Sequence, residues 1–108
     1  MRIAVFGAKG RMGAEVCRAI EAADGLELVA ALDEGDDRAA AEGAEVAVDF
    51  TVPDAVMGNL EWCAEHGVHA VVGTTGFTPE RLERARELFA GSGANVVIAA
   101  NYSIGALL

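Results

Sequence analysis

The sequence predicts an α/β fold, a Rossmann-type open parallel sheet of about five strands with helices on both faces. Three observations carry that reading. Short apolar runs alternate with amphipathic stretches along all 108 residues. Runs such as Val71-Val72 and Val96-Val97-Ile98 are apolar at every position, as in strands buried from both sides. A glycine turn, Gly7-Ala8-Lys9-Gly10-Arg11-Met12-Gly13, directly follows the first apolar run.

Strands are expected at Arg2–Phe6, Leu26–Leu32, Glu45–Asp49, Val68–Val72 and Asn95–Ala99. Between the first two, Met12, Val16, Ala19, Ile20 and Ala23 share one face of a helix, while Glu15, Arg18 and Glu21 point elsewhere. The charged loop Asp33-Glu34-Gly35-Asp36-Asp37-Arg38 leads into a short Ala-rich helical turn. A second helix places Val56, Leu60, Cys63 and Ala64 on one face, with Pro53 near its first turn and Gly67 as its stop. The third carries Leu82, Ala85, Leu88 and Phe89. Thr78 is its N-cap, Pro79 its first residue and Gly91-Ser92-Gly93 its end. Ile104–Leu108 reads as the start of another helix, so the chain is expected to be a piece of a longer protein. Residues 1–108 form one expected domain, marginally stable while its outer sheet edge stays unpaired.

Bulk properties narrow the function. No apolar run approaches the roughly 18 residues that span a bilayer, and the amino terminus lacks a signal-peptide pattern, so a soluble, cytoplasmic protein is expected. Seventeen acids against eight bases give a net charge of -9, which disfavours nucleic acid and anionic membrane as partners. Cys17 and Cys63 read as free helical thiols, and without CxxC or a Cys/His cluster no metal is expected. His66 at a helix end and His69 at a strand start are expected to be structural, and Trp62 to be packing.

The glycine turn carries the chemistry. Its backbone can approach a pyrophosphate closely, and the helix behind it offers unpaired N–H groups with partial positive charge. Asp33 ends the second strand 20 residues after Gly13, where a carboxylate accepts from the ribose hydroxyls of an adenosine. Lys9 and Arg11, a quarter of the bases, lie in the turn. They can attract the 2′-phosphate of NADPH while Asp33 repels it and favours NADH, so tolerance of both cofactors is expected. The alternative is that both simply face water. The segments Asp49-Phe50-Thr51, Gly73-Thr74-Thr75-Gly76-Phe77 and Ala99-Ala100-Asn101-Tyr102-Ser103 follow the later strands at the carboxyl edge, where α/β sheets bind ligands.

Together, Gly7 to Gly13, Val48-Asp49-Phe50-Thr51, Val72-Gly73-Thr74-Thr75-Gly76-Phe77 and Ala99-Ala100-Asn101-Tyr102-Ser103-Ile104-Gly105 resemble, in order and approximate spacing, the motifs of the dihydrodipicolinate reductase family. The resemblance implies an enzyme that transfers hydride from NADH or NADPH to a cyclic dicarboxylate on the diaminopimelate route to lysine. It implies Gly7, Ala8, Lys9, Gly10, Arg11 and Met12 at the pyrophosphate, and Asp33 at the ribose. Gly73, Thr74, Thr75, Ala99, Ala100, Asn101 and Tyr102 would line the nicotinamide end, with Thr75 facing substrate. It also implies a homotetramer assembled through a second domain, which follows the last motif and holds the catalytic histidine and lysine. No catalytic residue is therefore expected in this chain, which should bind cofactor without turning over substrate. Two other readings stand beside it. One is a different Rossmann oxidoreductase of the aspartate or homoserine dehydrogenase kind. The other is a non-catalytic module that senses a dinucleotide.

Overall fold

The computed structural model describes residues 1–73 and 77–98. In chain order the elements are β1 (Arg2–Phe6), α1 (Arg11–Ala22), β2 (Glu27–Leu32), a 3₁₀ turn (Arg38–Ala41), β3 (Val46–Asp49), α2 (Pro53–His66), β4 (His69–Val72), α3 (Pro79–Phe89) and β5 (Val96–Ile98). Each strand begins within one residue of its expected start. All pairings are parallel and the order is β2-β1-β3-β4-β5. The chain leaves β1 in one direction to form β2, then crosses back over β1 to form β3. At that reversal the loops beyond the strand ends diverge and leave a crevice, the usual ligand position in such sheets.

Alternation along the strands fixes which helix lies where. Ile3 and Val5 meet Val16 and Ile20 of α1 on one face, whereas Ala4, Phe6, Ala47, Ala70 and Val72 meet α2 and α3 on the other. The helices end as their sequences specify. Gly67 closes α2 in the left-handed conformation, at φ 68°. The Thr78 hydroxyl accepts from the Arg81 N–H at 3.2 Å, above Pro79 in the first turn of α3. Thr78→Ala is expected to lower unfolding stability by about 1 kcal/mol in a urea titration.

Three expectations need correction. In α1 the stripe centres on Gly13, Val16 and Ile20, and Ala19 at its margin is exposed. Leu82 of α3 is 39% exposed, because only Ala85 and Phe89 of that helix reach full burial. The later strands are not covered on both faces. Val97 is 55% exposed and Val71 half-buried. Among the described residues α1 alone packs on that face, and it contacts the β1–β2 side. His69 is half-buried, and its Nδ1 accepts from the Asn95 N–H at 3.0 Å. Trp62 packs edge-on to Phe6 and stacks on His66. Cys17 and Cys63 are free thiols. No helix of the described residues is long and apolar enough to cross a membrane.

Candidate functional site

The turn after β1 is built for contact with a ligand and for tight packing at once. Gly7 sits at φ +84°, and a Cβ there would lie 2.9 Å from the Phe50 carbonyl, so β1 and β3 approach closely at the sheet's reversal point. The Gly7 and Ala8 N–H groups both donate to the Leu32 carbonyl, at 2.7 and 3.1 Å. Gly13, one turn into α1, packs directly on this loop; a Cβ there would stand 1.9 Å from the Gly7 carbonyl oxygen. Gly10 differs. Its φ is -69° and a Cβ would meet only the Gly7 oxygen at 3.5 Å, so folding tolerates a side chain there while a ligand at the turn would not.

The amino terminus of α1 has no side-chain cap and no acid in its first turn. That contrasts with α3, where Thr78 fills the cap and Glu80 the first turn. The first N–H groups of α1 therefore keep their donors, and the helix dipole adds partial positive charge. These are the properties of an anion seat. Beside it, both carboxylate oxygens of Asp33 accept from the Lys9 N–H, at 3.2 and 3.1 Å, which ties the end of β2 to the glycine turn. The Asp33 N–H in turn donates to the Asp36 carboxylate at 2.8 Å.

A cleft of about 480 Å³ opens here, lined by Phe6, Gly7 and Gly10, by Leu32 to Asp36 with Arg38, and by Phe50 to Val52, Ala55 and Asn59. It brings together the ends of β1, β2 and β3. Of the residues expected at the pyrophosphate, Gly7 and Gly10 line it, as does Asp33. Ala8 is half-buried behind the loop and Met12 half-buried in α1, while Lys9 and Arg11 are exposed and lie outside the cleft lining. Gly73 is buried at the end of β4, its N–H donating to the Asp49 carbonyl at 2.8 Å. Thr74, Thr75, Ala99, Ala100, Asn101 and Tyr102 lie outside the described residues.

Sequence reasoning missed a polar chain beneath the cleft. Asp49, 1% exposed, accepts from the Thr51 N–H at 2.8 Å, from the Thr51 hydroxyl and from the Asn59 amide at 2.9 Å. A carboxylate can only accept, so the Asn59 NH₂ must face Asp49 and its Oδ1 must face outward. That oxygen accepts from Arg38 Nε at 2.8 Å. Burial pushes the Asp49 carboxyl above its ordinary range, while the Thr51 and Asn59 hydrogen bonds and the Arg38 charge pull it back. The available signal was Asn59 itself, a lone amide within the stripe Val56, Asn59, Leu60, Cys63 of α2.

Comparison with known proteins places the chain in a family. A family model described as "Dihydrodipicolinate reductase, N-terminus" matches residues 1–102. The 4-hydroxy-tetrahydrodipicolinate reductase of Thermobifida fusca is 59% identical over 109 residues, and that of Streptomyces coelicolor 57% identical over 111 residues. Each match covers 100% of this chain and 44% of the relative, so the chain spans less than half the length of these curated relatives. Among solved structures, a dipicolinate-bound dihydrodipicolinate reductase from Paenisporosarcina sp. TG-14 superposes with a TM-score of 0.79 at 28% identity, covering 99% of this chain and 49% of that one. The chain belongs to the dihydrodipicolinate reductase family and corresponds to that family's amino-terminal domain.

Proposed function

We propose that this chain is the cofactor-binding part of an NAD(P)H-dependent 4-hydroxy-tetrahydrodipicolinate reductase, and that it accepts both NADH and NADPH. The observation that carries the reading is the uncapped start of α1 beside the Asp33 carboxylate, at the point where the strand order reverses. In this reading Gly7, Ala8, Lys9, Gly10, Arg11 and Met12 surround the pyrophosphate. Asp33 exchanges its bond with the Lys9 N–H for, or shares it with, the ribose hydroxyls. Gly73, Thr74, Thr75, Ala99, Ala100, Asn101 and Tyr102 line the nicotinamide end, and Thr75 faces the substrate.

A bound dinucleotide would supply the hydride, and this domain would hold and orient it through the glycine turn and Asp33. The substrate is a small cyclic dicarboxylate, as the names of the relatives indicate. The groups that grip and protonate it lie in the part of the relatives beyond this match. The whole protein works in lysine biosynthesis, in the cytoplasm, as a homotetramer. Calorimetric titration of the full-length protein with NADH and NADPH at one fixed salt concentration tests the cofactor assignment. Saturable one-site binding of both, within roughly tenfold of each other, is expected, since the opposing contributions of the Lys9 and Arg11 cations and of the Asp33 carboxylate, about 1.5 kcal/mol, nearly cancel. Absence of binding by a folded sample overturns it.

A further inference from the structure

The end of β3 lies between the glycine turn and the end of β4, which the cofactor reading gives to opposite ends of the dinucleotide. On one side the Phe50 N–H donates to the Phe6 carbonyl at 2.9 Å. A Cβ on Gly7 would lie 2.9 Å from the Phe50 carbonyl and 3.1 Å from the Thr51 nitrogen, so the glycine turn rests on the peptide that joins Phe50 to Thr51. On the other side the Gly73 N–H donates to the Asp49 carbonyl at 2.8 Å. One side chain governs this joint. Asp49 is 1% exposed and does not line the cleft, whereas Phe50, Thr51 and Asn59 do. Its carboxylate accepts from the Thr51 N–H at 2.8 Å, from the Thr51 hydroxyl, and from the Asn59 amide of α2 at 2.9 Å. The Phe50–Thr51 peptide is trans, so its N–H and C=O point opposite ways. Turning the N–H inward to Asp49 therefore sets the plane on which Gly7 rests.

Resting on the cofactor reading above, we infer that Asp49 is a positioning residue for the dinucleotide, holding the glycine turn and Gly73 at the separation that one ligand must span. It touches the ligand nowhere. Its effect falls on a molecule that engages both ends at once, as NADH does, and spares ADP, which engages only the turn and Asp33. The pattern of donors and acceptors does the holding. Exchanging the two side chains, Asp49→Asn with Asn59→Asp, keeps that pattern. The new amide accepts from Thr51 through its oxygen and donates to the new carboxylate, whose other oxygen accepts from Arg38 Nε.

The test is titration with NADH and with ADP of the full-length protein, of Asp49→Asn, of the exchanged pair and of Val56→Ala, each checked for folding by circular dichroism. Asp49→Asn should weaken NADH by about tenfold and ADP by less than about twofold, the scale expected when a supporting hydrogen bond is lost and a site loosens. The exchanged pair should return NADH to within about threefold of the parent. Val56 is buried in the same helix and outside the polar chain, so Val56→Ala removes packing alone and should keep the parent's NADH-to-ADP ratio. Where Asp49→Asn alone does not fold, the exchanged pair decides. Equal weakening of both ligands by Asp49→Asn, the same change of ratio in Val56→Ala, or an exchanged pair that fails to fold or keeps the NADH loss would each overturn the role of Asp49 alone. A folded parent that binds neither ligand overturns the cofactor reading and this assignment together.

Discussion

Gly13→Ala is expected to be the most damaging single-methyl change in the described part of this chain. The added Cβ would stand 1.9 Å from the Gly7 carbonyl oxygen, 2.8 Å from its carbon and 3.0 Å from the Ala8 Cα, all of them backbone. No side chain can rotate away, so either the turn or α1 must move. Neither moves freely, because Gly7 is pressed on the Phe50 carbonyl and its N–H is bonded to Leu32. Overpacking of this kind costs about 3 kcal/mol, or on the order of 15 °C in melting temperature for a domain of this size. Displacing the first turn of α1 also removes about two helix N–H contacts from a bound pyrophosphate, roughly a 100-fold loss in dinucleotide affinity. Gly10→Ala is the contrasting case. It meets only the Gly7 oxygen at 3.5 Å, with an ordinary φ of -69°. Its melting temperature should stay within about 3 °C of the parent, for a change of under ~0.5 kcal/mol, while affinity falls because the new methyl stands where the ligand approaches. Equal loss of stability in the two variants would show that the turn is packed for folding alone.

Asp49→Asn is the second large effect, although the substitution keeps size and shape. The asparagine oxygen can still accept from Thr51, but its NH₂ then faces the NH₂ of Asn59. Turning Asn59 over relieves that conflict and creates another, since its NH₂ would then face Arg38 Nε, which also donates. No orientation satisfies the chain, and one buried donor is left without an acceptor. The expected cost is about 2–3 kcal/mol by urea unfolding. Burial raises the Asp49 carboxyl above its ordinary 3.8. The native state thus keeps this proton where the unfolded chain has released it. The carboxyl contributes stability that is complete below pH 3.8 and lost as pH rises through the folded-state value. Asparagine lacks that dependence, so the stability gap between parent and variant should widen as pH falls toward 3.8. A variant as stable as the parent across that range would mean the chain contributes nothing to the fold.

The strands and the glycine turn were legible because they depend on neighbours in sequence. Apolar runs give β1 to β5, and a turn between strand and helix needs its glycines within a few residues of each other. Asp33 was legible for a similar reason, as the last residue before a loop. The Asp49–Asn59–Arg38 chain was not, because its members lie 10 and 21 residues apart and meet only through strand order and the rotation of α2. Arg38 belongs to a run of charged residues that composition alone reads as solvated. The exposure of Val97 was hidden for a different reason. A uniformly apolar strand shows that both faces are fit for burial, not which layer lies on each.

The sheet divides the interior into two compartments, and each contains one thiol. Cys63 lies with Val56 and Leu60 in the layer shared by α2 and α3, while Cys17 packs beside Val16 in the layer of α1. Burial pushes the Cys63 thiol up to about 12, so almost no thiolate forms there at neutral pH and a reagent reaches it only when that layer opens. Cys17 is half-buried, and its pKa is raised mainly by burial. Alkylation kinetics at the two sulfurs therefore clock the two compartments separately. A bound dinucleotide clamping the start of α1 would slow alkylation of Cys17 more than that of Cys63.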